Sequence, residues 1–263
     1  MRYTSDGLEG VGGYSRITTN PLVGAPQAGI QLRTTVTGEP QSIVLAQAGL
    51  NIIQHTAVIP AAADFGTTVY GSLTAGGTAG RFAIAPNGHV LYANGLDTLI
   101  WGGGYRAVQA FINYDEAATF VHDFTSRLNN ILTDASNIAT LIRDTAGPDI
   151  WLHVGSTRPL QGIGFTVSTT NTAASTSTVE YWNGSAFTAV AGFVDGTASG
   201  GITLAQTGNM TFTTTVATAR VRFLYERALY WYRIKVGATG TPDATIAIAY
   251  CSTDAPMQPI VDI

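Results

Sequence analysis

Charged residues are scarce in this sequence, at 11% of 263 residues, compared with about 25% in an average soluble domain. It has no run of Lys and Arg, and its formal net charge is −4. A nucleic-acid-binding surface is therefore not expected, because such surfaces neutralise phosphates with clustered cations. A neutral, hydroxyl-rich surface suits a protein that assembles tightly with partners, since strong net charge normally keeps small proteins apart. An ordinary extracellular domain with few charges is the alternative.

Cysteine and long apolar segments are also scarce. The single cysteine, Cys251, cannot form a disulfide within the chain, and the strand-like run at 246–250 predicts that it is a core or strand-end residue rather than a nucleophile. The first seven residues lack the apolar segment of a signal peptide, and no apolar run approaches the ~18 residues of a membrane span. We expect assembly inside a cell, in a reducing cytoplasm, with neither a leader nor membrane insertion.

Motifs of common enzymes are missing as well. There is no nucleophile elbow, P-loop or dinucleotide fingerprint, and the Gly-rich segment 7–12 follows no predicted strand. None of the four histidines has metal-ligand spacing; they are His55, His89, His122 and His153. His55 and His153 lie in predicted strands, where a hydrogen-bonded structural role is expected. The sequence therefore predicts a protein that is not an enzyme and uses no cofactor or metal.

The carboxylates leave a calcium site and a glycosidase site open as alternatives. Asp115 and Glu116 could begin a helix, where negative charge complements the helix dipole. Asp195 opens an Asp-Gly-Thr turn, in which its side chain can bond the backbone two residues on or, with loop carbonyls, hold calcium. A glycosidase needs a pair of carboxylates, and the sequence gives no reason to choose one.

Glycine and proline punctuate the first part of the chain. Residues 1–29 read as an extended arm, either disordered alone or laid along a neighbouring subunit. Residues 30–112 read as a first β unit, with hairpin-type Asn-Gly pairs at 87–88 and 94–95. The hairpins that end at Trp101 resemble one blade of a β-propeller, but no second copy follows. Because a lone blade has exposed edges, we expect partners to complete it.

Residues 113–148 form a connector with two interpretations. Apolar residues recur there at alternating spacings of four and three, which is typical of a helix; they are Ala117, Val121, Phe124, Leu128, Ile131, Ala135, Ile138 and Ile142. The many Thr and Asn residues disfavour a helix, and the rival interpretation has strands at 120–128 and 138–142 with a loop between them. A single helix in 113–143 or a pair of strands both remain open.

Residues 149–263 read as an antiparallel β-sandwich or jelly-roll-like domain, because short strands alternate with turns about every ten residues. Two aromatic groups occur in these strands, and they could form a sugar-stacking platform, pack in the core or contact another subunit; the residues are Tyr181, Trp182, Tyr230, Trp231 and Tyr232. Alternation sends each Trp to one side of its strand and the adjacent Tyr to the other. Core packing is the more frequent role for such residues.

These residues carry a resemblance to a known class of protein. Residues 180–187 (Glu-Tyr-Trp-Asn-Gly-Ser-Ala-Phe), 195–197, 204–208 (Leu-Ala-Gln-Thr-Gly) and 230–233 (Tyr-Trp-Tyr-Arg) resemble a β-sandwich module that recurs in tailed-bacteriophage structural proteins. Residues 82–103, with Ala-Pro-Asn-Gly and Ile-Trp-Gly-Gly, are similar to the blade-like N-terminal part of phage tail proteins. The resemblance covers about 30–112 and 150–260, brings no catalytic residues, and favours strands in 113–143.

The resemblance implies a structural component of a phage virion, associated with the tail, its nozzle, its tip or a fibre. Such a protein acts as a homo-oligomer in contact with other virion proteins. The alternative is a carbohydrate-binding module of a tail fibre that contacts a host surface glycan, and a second alternative is a polysaccharide hydrolase. Because further β domains often follow in such proteins, the chain is either the N-terminal portion of a longer protein or a short relative.

Overall fold

The structure is a computed structural model that describes residues 2–4, 7–9, 26–36, 39–55, 67–86, 89–115, 120–129, 138–144, 147 and 149–260. These residues are mainly antiparallel β-strands, which confirms the predicted fold class. The chain divides into two compact units, one of residues 1–104 with 257–263 and one of residues 105–256. No helix in the described ranges is long and apolar enough to cross a membrane.

The first unit contains three sheets. A hairpin of β1 (Arg2–Thr4) and β2 (Gly7–Glu9) is one of them. The second is a four-stranded meander of β3 (Pro26–Val36), β4 (Glu39–Ala48), β5 (Asn51–His55) and β6 (Thr67–Tyr70). The third joins β7 (Arg81–Ile84), β8 (Val90–Ala93) and β9 (Thr98–Trp101) to the C-terminal Gln258–Pro259 segment.

The described residues of the second unit form the other strands and one short helix. In chain order they are β10 (Tyr105–Ala107), β11 (Ala110–Asp115), β12 (Phe120–Asp123), α1 (Thr125–Leu128), β13 (Ala139–Thr140), β14 (Ile150–Ser156), β15 (Gly162–Thr169), β16 (Ser175–Trp182), β17 (Phe187–Ala189), β18 (Val194–Asp195), β19 (Gly208–Thr211), β20 (Val221–Leu224), β21 (Arg227–Gly240) and β22 (Ala247–Asp254). The Gln258–Pro259 strand of the first unit is then β23.

The blade-like prediction is met by β7, β8 and β9, which pair in antiparallel order. The Asn94-Gly95 turn between β8 and β9 has the expected chemistry, because the Asn94 side chain accepts hydrogen bonds from the Leu96 and Asp97 amides and Gly95 has a φ of 87°. Within the same unit, β23 pairs with the free edge of β9. A strand of the same chain therefore covers an edge that was expected to need a partner.

A buried core joins the two four-stranded sheets of the first unit. Leu45 and Ile52 come from one sheet, Tyr92 and Trp101 from the other, and Met257 lies among them. On β8 and β9 these core residues alternate with more exposed neighbours, as the period of two in a strand requires, whereas residues 43–48 of β4 are all buried. The Asn-Gly pair at 87–88, and most of the predicted arm, lie outside the described residues.

The second unit is a sandwich of two antiparallel sheets. One has the order β10-β22-β15-β19-β18 with β13 beside β22, and the other has the order β12-β11-β14-β21-β16-β17 with β20 beside β21. Their facing side chains form one buried cluster, with Phe111, Leu152 and Ile234 from one sheet and Phe165 and Ile248 from the other. Dense burial of alternating apolar side chains between two sheets is the arrangement that stabilises a sandwich.

Within 113–148, the described residues include β12, α1 and β13, and both strands pair with strands of the sandwich. The long helix is wrong for the described residues, since β12 pairs with β11 through Tyr114 and Val121 and only α1 is helical. Asp115 ends β11 and is buried, so it does not begin a helix. Of the described residues of the apolar stripe, Leu128 in α1 is buried, whereas Val121 on β12 and Ile142 are 40% and 37% exposed, so the stripe does not form one buried side. Residues 130–137 lie outside the described part. The boundary expected after 112 lies instead after 104.

Candidate functional site

The outer side of the seven-stranded sheet carries an unusual set of side chains. Along β14, the inner residues Ile150 and Leu152 lie in the core, whereas Trp151 and His153 point to the opposite side. The same alternation on its neighbours places aromatic and charged residues beside them. We call this the aromatic–cationic face, and it consists of Tyr114, Trp151, His153, Glu180, Trp182, Phe187, Arg222, Tyr225, Arg233 and Lys235.

His153 lies at the centre of this face and is surrounded by rings. Its ring centroid is 5.7 Å from that of Phe187, with the planes at 7°, and 5.7 Å from that of Tyr114. Its Nδ1 atom is 2.5 Å from the Tyr225 hydroxyl, whereas its buried Nε2 has no hydrogen-bond partner among the described residues. Burial, helped by the nearby cations Arg233 and Arg222, lowers the pKa of His153 to about 3. The imidazole is therefore neutral at physiological pH.

Tyr225 reaches His153 from a strained turn between β20 and β21. Tyr225 and Glu226 have φ values of 51° and 62°, a left-handed conformation that costs a non-glycine residue about 1–2 kcal/mol. The Tyr225 ring packs edge-on against Trp231 at 5.4 Å between centroids. Burial, with a smaller effect of Tyr114, raises the pKa of Tyr225 to about 12, so its hydroxyl stays protonated. The turn therefore places the Tyr225 side chain against the buried His153.

Most charges on this side of the sheet form ion pairs. Arg233 donates to Glu180 from Nε at 2.7 Å, and Lys235 lies 2.7 Å from Asp149. Both cations also lie over the Trp151 ring, at 4.9 Å and 5.2 Å from its centroid. Contacts of this kind hold long side chains flat against the sheet and leave their polar groups at the rim of the ring.

The five aromatic residues that the sequence singled out do not form one platform. Trp231 and Tyr232 are fully buried, on opposite sides of β21, and Tyr181 and Tyr230 pack against the core between the sheets. Only Trp182 belongs to the aromatic–cationic face, where its ring meets Phe187 edge-on. The alternation predicted for Trp and Tyr is therefore present, and it places the three tyrosine rings on the inner side of the sheet. Trp231 lies on the outer side but is buried in a separate cluster, against which Leu224 and Tyr225 pack.

Several residues of the aromatic–cationic face were not identified from the sequence. Trp151 could have been found from alternation, because it shares its side of β14 with His153 and the other side is apolar. Tyr114 could not, because it lies on the same side of β11 as the apolar residues Ala110 and Ile112. Arg222 and Tyr225 could not, since their placement depends on the turn that folds β20 onto β21. His153 was identified only as a hydrogen-bonded strand residue, and the structure gives it that bond.

Asp195, weighed as a calcium ligand, is held by protein donors. Its Oδ1 accepts from the Thr197 amide at 2.9 Å, two residues on as predicted, and its Oδ2 accepts from Ser177 at 2.8 Å and Thr203 at 2.6 Å. This network joins the Asp-Gly-Thr turn to β16, which is a structural role. Among the described residues, no group of three or more His, Cys, Asp or Glu is placed to hold a metal ion.

Cys251 lies in β22, fully buried in the core of the sandwich. Burial raises the pKa of its thiol, so the nucleophilic thiolate does not form at neutral pH. The predicted packing role of this residue is confirmed.

Comparison with known proteins adds little to this geometry. No protein-family model and no curated protein matches the chain. Among solved structures it is similar to chitosan-binding module 1 of a chitosanase/glucanase from Paenibacillus sp. IK-5, with 14% sequence identity, coverage of 56% of this chain and 95% of that one, and a TM-score of 0.31. A likeness this weak carries no argument about fold or ligand, so function is argued from the geometry of the chain itself.

Proposed function

We propose that the chain is a tail-associated structural component of a bacteriophage virion, which acts by homo-oligomeric assembly and by contact with other virion proteins. The observation that carries the assembly role is the presence of large exposed apolar side chains on the edge strands of the sandwich. The virion assignment draws on the sequence resemblance of residues 180–187 and 230–233 to phage structural modules.

Three edge strands of the second unit share this feature. Phe120 on β12 is 60% exposed, Val194 on β18 is 60% exposed and Phe223 on β20 is 71% exposed. Monomeric β proteins usually protect their edges with charges, proline or short strands, and these three strands are short, at four, two and four residues, but each still carries a large apolar side chain in the open. Apolar side chains on open edges are what a subunit contact would bury.

The oligomeric state of the full-length chain tests this role. Light scattering after size-exclusion chromatography is expected to show an oligomer, and Phe223→Lys or Phe120→Lys is expected to shift it toward the monomer. Leu96→Lys is the matched control, because Leu96 is 57% exposed but lies in a turn of the first unit. Antibodies against the chain should label phage particles. A strict monomer at every concentration, together with unlabelled virions, would refute the proposal.

A second candidate, a carbohydrate-binding receptor module, is favoured by the aromatic–cationic face. Trp151 and Trp182 are half-buried rings with charged groups beside them, and such a combination of ring and hydrogen-bonding groups suits a sugar ligand. Binding to a glycan array should disappear in Trp182→Ala and Trp151→Ala while the circular dichroism spectrum is unchanged. Phe223→Ala is the control, since it removes an exposed ring from an edge strand outside the face.

The hydrolase alternative remains a prediction with its own assay. Glu180 and Asp149 are each held in an ion pair with a cation of the same sheet, whereas the two carboxyl groups of a glycosidase flank and act on the scissile glycosidic bond. Turnover of host envelope polysaccharide at high protein concentration would support a hydrolase, and its absence would count against one.

A further inference from the structure

One cation on the outer side of the seven-stranded sheet has no counter-charge. Arg227 pairs with Asp123 at 2.9 Å, Arg233 with Glu180, and Lys235 with Asp149 at 2.7 Å. Arg222, on β20, makes no ion pair with any residue that the structure describes. The exposed Glu226 at the tip of the adjacent turn does not bond to it either.

The guanidinium of Arg222 is held in place by rings. Its Cζ lies 3.9 Å from the centroid of Trp182 and 5.5 Å from that of Phe187. Its backbone is anchored too, because the Trp231 indole donates from Nε1 to the Arg222 carbonyl at 3.0 Å. A guanidinium that packs on a ring keeps its N–H groups free for planar, two-point contacts with a carboxylate or a sulfate.

The electrostatic surroundings also favour an anion. Burial lowers the pKa of His153 most, and the cations Arg233 and Arg222 lower it further, so both guanidinium groups act on the centre of the face although the whole chain carries a net charge of −4. A local positive potential on an otherwise acidic chain attracts anionic ligands selectively rather than through total charge.

We propose that Arg222 and Trp182 form a subsite for an acidic saccharide, in which the guanidinium pairs with a carboxylate or sulfate of the glycan and the sugar ring lies beside the indole. This inference rests on the carbohydrate-binding candidate and narrows it from glycans in general to anionic ones. The aromatic side chains supply a ring surface, and Arg222 supplies the charge that selects the ligand.

Two pairs of polymers test the charge requirement with the full-length chain. Polygalacturonate is compared with its fully methyl-esterified form, which keeps the backbone and removes the carboxylates, and dextran sulfate is compared with dextran. In affinity electrophoresis, we expect retardation by at least one of the charged polymers and by neither neutral one, and the polymer that binds tells a carboxylate site from a sulfate site.

Two variants then locate the subsite. Arg222→Gln is expected to weaken binding to the charged polymer about tenfold, since a hydrogen bond to a charged group is worth about 1.5–3 kcal/mol. The matched control is Arg127→Gln, which also removes one positive charge from an arginine over an aromatic ring. Arg127 lies in α1 over the Phe124 ring, outside the aromatic–cationic face, so this variant should bind as the wild type does. Circular dichroism confirms that both variants are folded.

Each other outcome has a separate meaning. Equal retardation by charged and neutral polymers would overturn the acidic subsite and leave the carbohydrate-binding candidate standing. Equal weakening in Arg222→Gln and Arg127→Gln would show diffuse attraction and also overturn the subsite. Retardation by none of the four polymers would overturn the subsite, and a glycan array without signal would then remove the carbohydrate-binding candidate as well.

Discussion

The buried histidine of the aromatic–cationic face should make the second unit sensitive to acid. His153 has a pKa of about 3 in the folded chain, whereas an unfolded histidine has a pKa of about 6.5. Between these two values the unfolded chain binds a proton at this position and the folded chain does not. The free energy of unfolding therefore rises with pH across this window, by about 1.4 kcal/mol per pH unit for one proton.

The size of the effect follows from the two pKa values. From pH 7 to pH 4, the contribution of His153 falls by about 3 kcal/mol. His153→Phe keeps a ring among Tyr114 and Phe187 but removes the titration and the bond to the Tyr225 hydroxyl. At pH 7 the variant should be less stable by about 1–2 kcal/mol, the usual cost of such a lost bond. At pH 4 the order should reverse, with the variant more stable than the wild type.

Urea unfolding at a series of pH values measures this directly. Tryptophan fluorescence is a suitable signal, because Trp151, Trp182 and Trp231 lie in the same unit as His153. Carboxylates also titrate below pH 5, but they are the same in both proteins, and the difference between the curves isolates the histidine. A gap between wild type and variant that stays constant from pH 7 to pH 4 would refute the buried, neutral state of His153.

Three further predictions concern the backbone and the thiol. Glu226→Gly should raise the free energy of unfolding by about 0.5 kcal/mol in urea titrations, because relief of the left-handed strain exceeds the entropy lost with glycine; a destabilised variant would show that the turn is unstrained. Gly208→Ala should lower the free energy of unfolding by about 2 kcal/mol or more, since a Cβ there would lie 2.1 Å from the Gly196 carbonyl oxygen. Gly147→Ala, with open space around it, should change it by less than about 0.5 kcal/mol, and equal effects of the two would contradict the close approach. Cys251, buried with a raised thiol pKa, should react with a thiol reagent only after denaturation, and rapid reaction of the native chain would contradict its burial.

The sandwich could be predicted from local pattern because strands such as β14 alternate apolar residues with other types along the sequence. Residues such as Ile150, Leu152 and Val154 mark the inner side of β14 without any knowledge of partners. Turns with Asn-Gly or Asp-Gly-Thr were visible for the same reason, since those residue types have side chains and φ angles that suit a turn. Local chemistry alone decides these features.

The remaining features depend on contacts between distant residues. The stripe in 113–143 fits a helix by spacing, yet β12 is extended because it gains hydrogen bonds from β11, and spacing cannot report a neighbouring strand. The return of β23 to β9 joins segments far apart in sequence. The turn at Tyr225 and Glu226 contains neither Gly nor Asn, so its positive φ angles were invisible in the sequence. Because this turn could not be recognised, the sequence did not predict that Arg222 lies on the aromatic–cationic face.

The strand β20 carries a residue for each of the two proposed functions, glycan binding and assembly. Because successive side chains of a strand point to opposite sides, these two residues lie on opposite sides of the sheet. On β20, Arg222 points to the aromatic–cationic face, where it lies over Trp182, while Phe223 is the next residue and so points to the other side. Tyr225 holds this strand against the sheet through His153 and Trp231, so the two side chains have fixed and opposite directions. Arg222→Gln should therefore change glycan binding without changing the oligomeric state, and Phe223→Lys should do the reverse. If each substitution altered both glycan binding and the oligomeric state, the two functions would have to share one surface. The opposite directions of Arg222 and Phe223 could then not be what separates them.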